Sequence, residues 1–187
     1  MDERISLNGG DWRRRGAYTR QFAVPAHWIN RRIFLQWSGM DGGGYEISGQ
    51  VEPGQVCRLT VCTGPVSSGT WRKIDLVGTG QAAITQFQVG VALAEDLRSA
   101  AVSVTTRVDN AAQVEIALAD PSGQVIGRVE KGGCTALSHT FTLTDPELWW
   151  PDGLGDQPQY GCQLLVRDGT RTVSDSRLAM FGVRRFR

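Results

Sequence analysis

Proton-transfer chemistry needs two carboxyl groups held together, or a histidine beside a nucleophile. Asp145 with Glu147 and Asp152 with Asp156 are acidic pairs close in sequence, but both lie among turn formers. There an aspartate usually accepts hydrogen bonds from backbone N–H groups. His27 and His139, the two histidines, are far apart, and neither has a serine or cysteine in a nucleophile motif. No catalytic residue is assigned. Gly42-Gly43-Gly44 and Gly153-Leu154-Gly155 lack the Lys-Ser/Thr and the helix of a phosphate loop, so no cofactor is expected. Cys57, Cys62, Cys134 and Cys162 show no Cys-x-x-Cys spacing and read as buried free thiols, with a disulfide or a metal site as the alternative. Apolar sugar faces stack on aromatic rings, which makes Trp12 and Trp28, both at corners, the candidate carbohydrate platforms. Trp37 and Trp71 lie inside strand patterns and read as core. Arg13-Arg14-Arg15 in a chain of net charge +1 reads as a solvated edge; neither nucleic acid nor an acidic membrane surface is an expected partner.

The elements that must hold these residues are strands. Short alternating segments bounded by glycine, proline and aspartate recur along all 187 residues, and no stretch keeps a helical period. Leu93 to Arg98 is the best candidate for a single helical turn. With 21% charged and 41% apolar residues the chain is globular, and no apolar run is long enough to span a bilayer. Met1-Asp2-Glu3-Arg4 opens acidic without an apolar leader, which leans towards the cytoplasm without fixing a compartment. In the first part, Phe22 and Val24 share one strand face with Tyr18. Ile33, Leu35 and Trp37 share another, with Phe34 on its reverse, and two apolar faces predict a central strand. Val51-Glu52-Pro53-Gly54-Gln55 predicts a Pro-Gly turn. Gly78-Thr79-Gly80 reads as a boundary, giving domains at 1–78 and 79–187. Beyond it, seven strands are expected near 83–91, 99–108, 113–119, 124–130, 135–143, 159–167 and 170–186, the count of an immunoglobulin-type sandwich. The fold class expected is all-β, two β-sandwich domains.

One stretch organises the rest: Leu148-Trp149-Trp150-Pro151-Asp152-Gly153-Leu154-Gly155-Asp156-Gln157-Pro158-Gln159-Tyr160. Adjacent tryptophans point to opposite faces of a strand, so one packs inward and the other lies outward or under the following loop. Pro151 ends regular pairing, and Tyr160 restarts an alternating run with Cys162, Leu164 and Val166. This corner, followed by Gly182-Val183-Arg184-Arg185, resembles the immunoglobulin-like domain of glycoside hydrolase family 2, especially the β-mannosidase-like and exo-glucosaminidase-like branches. Trp12-Arg13-Arg14, Val24-Pro25-Ala26-His27-Trp28 and Leu35-Gln36-Trp37-Ser38-Gly39-Met40-Asp41 resemble the sugar-binding jelly roll that precedes it. Trp71-Arg72 through Leu76 is similar to the strand that closes that jelly roll.

The resemblance implies a glycosidase whose two catalytic glutamates stand on a (β/α)8 barrel after the Gly-Val-Arg segment. That barrel does not follow within these residues, so no glycosidase activity is expected of the chain itself. Two departures bear on the first domain. Gly39-Met40-Asp41 runs almost at once into Gly42-Gly43-Gly44-Tyr45, where the family has a further hairpin, and Pro65 to Gly69 stands where the mannosidase branch has a long loop. The expected function is that of a non-catalytic accessory region of such a hydrolase, with a standalone carbohydrate-binding or protein-interaction module as the alternative. Trp149, Trp150, Tyr160 and Arg184 are expected to anchor the second domain. The expected partners are a carbohydrate, the catalytic barrel, or a second copy associating through the first domain between Tyr18 and Cys62.

Overall fold

The structure, a computed structural model, describes residues 3–7, 17–38, 43–62 and 73–185. They form eleven strands: β1 (Glu3–Ser6), β2 (Ala17–Ala23), β3 (Arg32–Ser38), β4 (Gly43–Glu46), β5 (Val56–Cys62), β6 (Lys73–Thr79), β7 (Ile84–Leu93), β8 (Ser99–Ala119), β9 (Val125–Thr144), β10 (Tyr160–Arg167) and β11 (Val173–Phe181). The only helical segment among the described residues is one 3-10 turn, Ala26–Trp28. The all-β reading holds. The chain divides into two compact units, Asp2–Gln81 and Ala82–Arg187. Gly78 and Thr79, read from the sequence as part of the domain boundary, are the last residues of β6.

In the first unit a four-stranded sheet, ordered β1-β6-β3-β4, faces a two-stranded layer, β2-β5. β3 is central, flanked by β6 and β4, as its two apolar faces require. Ile33 is buried with Phe22, Val24, Ile74 and Leu76, while Leu35 and Trp37 are half-buried beside them. On the reverse face Phe34 carries the Arg32 guanidinium 4.9 Å from its ring centre. Arg32 also holds Glu46 through both carboxylate oxygens at 2.7 and 3.2 Å, which, with the Ser48 hydroxyl, keeps the Glu46 carboxyl below its ordinary value. Glu52-Pro53-Gly54-Gln55 is the predicted turn: the Gln55 N–H donates to the Glu52 carbonyl at 3.1 Å and Gly54 takes φ +88°. That is a type II turn, with proline and glycine at the two central positions that favour them. Residues 39–42, where the sequence reading expected a family hairpin to be lacking, and 63–70 lie outside the described residues; on either side of the former, β3 and β4 pair directly, Trp37 opposite Gly43.

The second unit has five strands where the sequence predicted seven segments. The second and third segments are one strand, β8, and the fourth and fifth are one strand, β9. Both bend at the same level, where the register slips between Arg107 and Ala112. The first half of β8 pairs with β7 and the second half with β10, so the two long strands pass from one layer of the sandwich into the other. Turn-forming residues at the bend do not end the strands, because both strands bend together and keep their pairing. Asp109 accepts the Ala83 N–H at 2.7 Å, and Gly133 takes φ +61°. Val102, Val104, Val114, Ile116, Leu118, Cys162, Leu164 and Val166 fill the space between the layers. The helical turn expected at Leu93–Arg98 is instead a tight hairpin connection. The Ala94 N–H donates to Ser99, the Arg98 N–H to the Asp96 carboxylate, and Leu97 sits at φ +62°.

Candidate functional site

The two halves of the sequence signature meet in the second unit. Leu148 bridges Val183 in parallel, and the Trp149 N–H donates to the Val183 carbonyl at 2.8 Å. Trp149 then lies on Gly182, where a Cβ would stand 2.7 Å from the tryptophan side chain. The Arg184 guanidinium sits 4.9 Å from the Trp149 ring centre, a cation–π contact that orients both groups. Tyr160 closes the corner. Its hydroxyl accepts the Glu147 N–H at 2.9 Å and its ring stacks on Phe181 at 5.9 Å. A tyrosine at the start of this strand, bonding backward to the chain two residues before a cysteine, is a recurrent lock of immunoglobulin-type sandwiches. Burial pushes the Tyr160 hydroxyl pKa above its ordinary value and the Cys162 thiol up to about 11.

Trp150 behaves differently from its neighbour. Its N–H donates to the Asp156 carbonyl at 2.9 Å, the following loop folds Gly155 against its ring, and it remains 46% exposed. With Leu93, Leu97, Leu148, Trp149, Pro151 and Leu154 it lines a groove of about 680 Å³, with Arg184 and Arg185 also in its wall. Leu154 at its rim is 73% exposed. The lining is mostly apolar, and exposed large apolar side chains grouped in this way are common where proteins meet a partner. The sequence pointed to the two tryptophans and Arg184. Arg185 came with the second signature segment, whereas the sequence did not point to Leu93 or Leu97, which reach the groove from the end of β7 and the turn after it.

The other candidates separate. Trp28 is 1% exposed, and its ring lies on Gly78, where a Cβ would stand 2.7 Å from it. A ring covered in this way offers no face to a sugar, so Trp28 is a core residue rather than a platform. Trp12, Trp71 and Arg13 to Arg15 lie outside the described residues. An aromatic pair the sequence did not single out is Trp37 with Tyr45, ring centres 5.8 Å apart, Tyr45 70% exposed. Asp145, at φ +45°, and Glu147 line a separate hollow of about 390 Å³ with Asp120 and Tyr160. Among the described residues no group of three His, Cys, Asp or Glu side chains is placed to hold a metal. His139 packs edge-on against Phe141 at 4.5 Å, a structural position. Cys57, Cys134 and Cys162 are free thiols.

Comparison with known proteins gives three concordant results. The profile of the family described as glycosyl hydrolases family 2 matches residues 82–184, more than half of the chain. An exo-β-D-glucosaminidase of Hypocrea virens is 29% identical over 132 residues, covering 63% of this chain and 15% of that protein. A β-mannosidase B of Aspergillus flavus is 35% identical over 104 residues, covering 52% of this chain and 12% of its own length. The chain thus spans less than a sixth of these curated relatives. Among solved structures, a β-glucuronidase from Ruminococcus gnavus superposes with a TM-score of 0.68 over 91% of this chain and 36% of its own, at 17% identity, a likeness of fold.

Proposed function

Because the chain belongs to glycosyl hydrolases family 2, we propose that it serves as a non-catalytic β-sandwich region of such a hydrolase and seats a catalytic part against the Trp149–Trp150 corner. The observation that carries this reading is the groove at that corner. Both signature segments build it, Trp150 and Leu154 leave apolar surface open along it, and Arg184 and Arg185 give its wall a positive charge suited to an acidic neighbour. Tyr160, Trp149 and Arg184 hold the corner rigid, and Trp150 makes the contact. The relatives' names point to β-linked mannose and glucosamine as the sugars released by the assembled enzyme.

The purified chain, given aryl β-mannoside, β-glucosaminide, β-glucoside and β-galactoside, is expected to turn none of them over, and the native gene product is expected to have a mass near that of the relatives. Turnover that survives purification and vanishes on replacing one acidic residue of this chain would overturn the reading. A second reading, a carbohydrate-binding sandwich, is favoured by the exposed Tyr45 ring beside Trp37. Tyr45→Ala would then abolish retention of the chain on immobilised mannan or chitosan.

A further inference from the structure

The free strand edges of the second unit differ in how they are guarded. An edge offers unpaired N–H and C=O groups to any other strand, and proteins blunt it with charge, a bulge or proline. β9 carries Arg128, Glu130 and Lys131 along its first half and exposes Ser138 and Thr140 along its second. β7 is bulged between Ile84 and Gln86 and exposes Thr85, Gln88 and Gly90. β11, the outer strand beyond β10, has neither device over most of its length. Its start is occupied: Ser174 bonds the Ala82 N–H and carbonyl at 2.9 and 2.7 Å, and Asp175 accepts the Ile84 N–H at 2.8 Å. Its bulge against β10 falls in the same stretch. From Ser176 to Phe181 the register is regular and there is no proline. The single charge, Arg177, is engaged by Asp175 at 3.2 Å. Leu178 and Met180, by contrast, face solvent at 66% and 54% exposure. Beside them Gly161 leaves a shallow floor, where a Cβ would lie 3.5 Å from the Met180 sulfur and 3.8 Å from Leu178.

We propose that β11 pairs antiparallel with β11 of a second copy, about a twofold axis near Ala179. The outward apolar positions are symmetric about that small residue. An antiparallel self-pairing therefore sets Leu178 of each copy opposite Met180 of the other on one face of the joined sheet. Such an isologous contact closes on itself and gives a dimer rather than a filament. Because successive residues alternate in face, a one-residue slip would set these side chains against the wrong face, so the register is defined.

Light scattering across a dilution series should show a dimer dissociating to monomer for the native chain, and monomer throughout for the Leu178→Lys/Met180→Lys double variant, with the melting temperature of the dilute, dissociated native chain. Both positions are exposed, and lysine is a natural edge guard. Hydrogen exchange needs no variant: amides of residues 176–181 should gain protection as concentration rises. A native chain that stays monomeric at high concentration would overturn the proposal. So would a dimer that persists in the double variant, or one that dissociates only on Leu35→Asp, which would place association in the first unit. Concentration-independent exchange in β11 would count equally against it, including where the variant fails to fold.

Discussion

At the residue scale, two adjacent tryptophans have separate work. Trp149 is clamped between Gly182 and Arg184, whereas Trp150 is half open at the groove rim. Trp149→Ala should therefore cost the isolated chain about 3 kcal/mol, and Trp150→Ala no more than about 1 kcal/mol, read by denaturant unfolding. Equal losses would mean that Trp150 is a packing residue and not a contact surface. A second pair of residues shares one device. Asp120 accepts hydrogen bonds from Ser122 Oγ, Ser122 N–H and Gln124 N–H; Asp168 does the same with Thr170 Oγ1, Thr170 N–H and Thr172 N–H. The hydroxyl bond first, then the backbone bonds, hold both carboxyls below their ordinary 3.8. A carboxyl lowered on folding stabilises fully above the unfolded value, and that contribution is lost as pH falls below 3.8 and through the folded value. Carbon NMR titration should give both midpoints below 3.8, moving up in Ser122→Ala and Thr170→Ala. A midpoint at or above 3.8 in the native chain would remove this account of the turns.

At the element scale, the local signals were readable and the long-range ones were not. Proline and glycine at 53–54 and 121–123 marked turns because turn geometry selects those residues at adjacent positions. The alternation from Tyr160 to Val166 gave a buried strand face for the same local reason. The continuity of β8 and β9 was hidden, because Asp109-Asn110 and Gly132-Gly133 look like strand ends in either strand alone. They are a shared bend only when the strands are paired. Trp28 was misread for a similar reason: what covers its ring is Gly78, fifty residues onward in a strand of its own. Pairing also sets where the fold is weakest. β2 and β5 form a two-stranded layer, which is marginal without what it packs on, whereas β8 has partners on both sides along most of its length. Amides of β2 and β5 should exchange faster than those of β8 and β10. Comparable protection would show that the small layer is as firmly held as the long hairpin.

At the scale of the whole molecule, the family could be read from two short segments because they build one corner, whereas the groove beside it is completed by Leu93 and Leu97 from one other place in the chain. The long bent hairpin has a further consequence, for the order in which the second unit assembles. Its pairing begins at Ala119 opposite Val125 and runs out to Ser99 opposite Thr144. Each added pair closes only a few more residues of loop, so this hairpin zips at small entropic cost. The join of β10 to β8, Gly161 opposite Ala119, instead brings together residues far apart in sequence: it waits until β9 has folded back along β8, and then closes the 145–159 connection in one step. The rate-limiting event should therefore be the docking of the β10–β11 hairpin onto a formed β8–β9. Val114→Ala, in β8, should slow folding, while Ala179→Gly, in β11, should mainly speed unfolding. Chevron plots of the two variants make the comparison, and a reversed pattern would mean that the sandwich is nucleated from its C-terminal end.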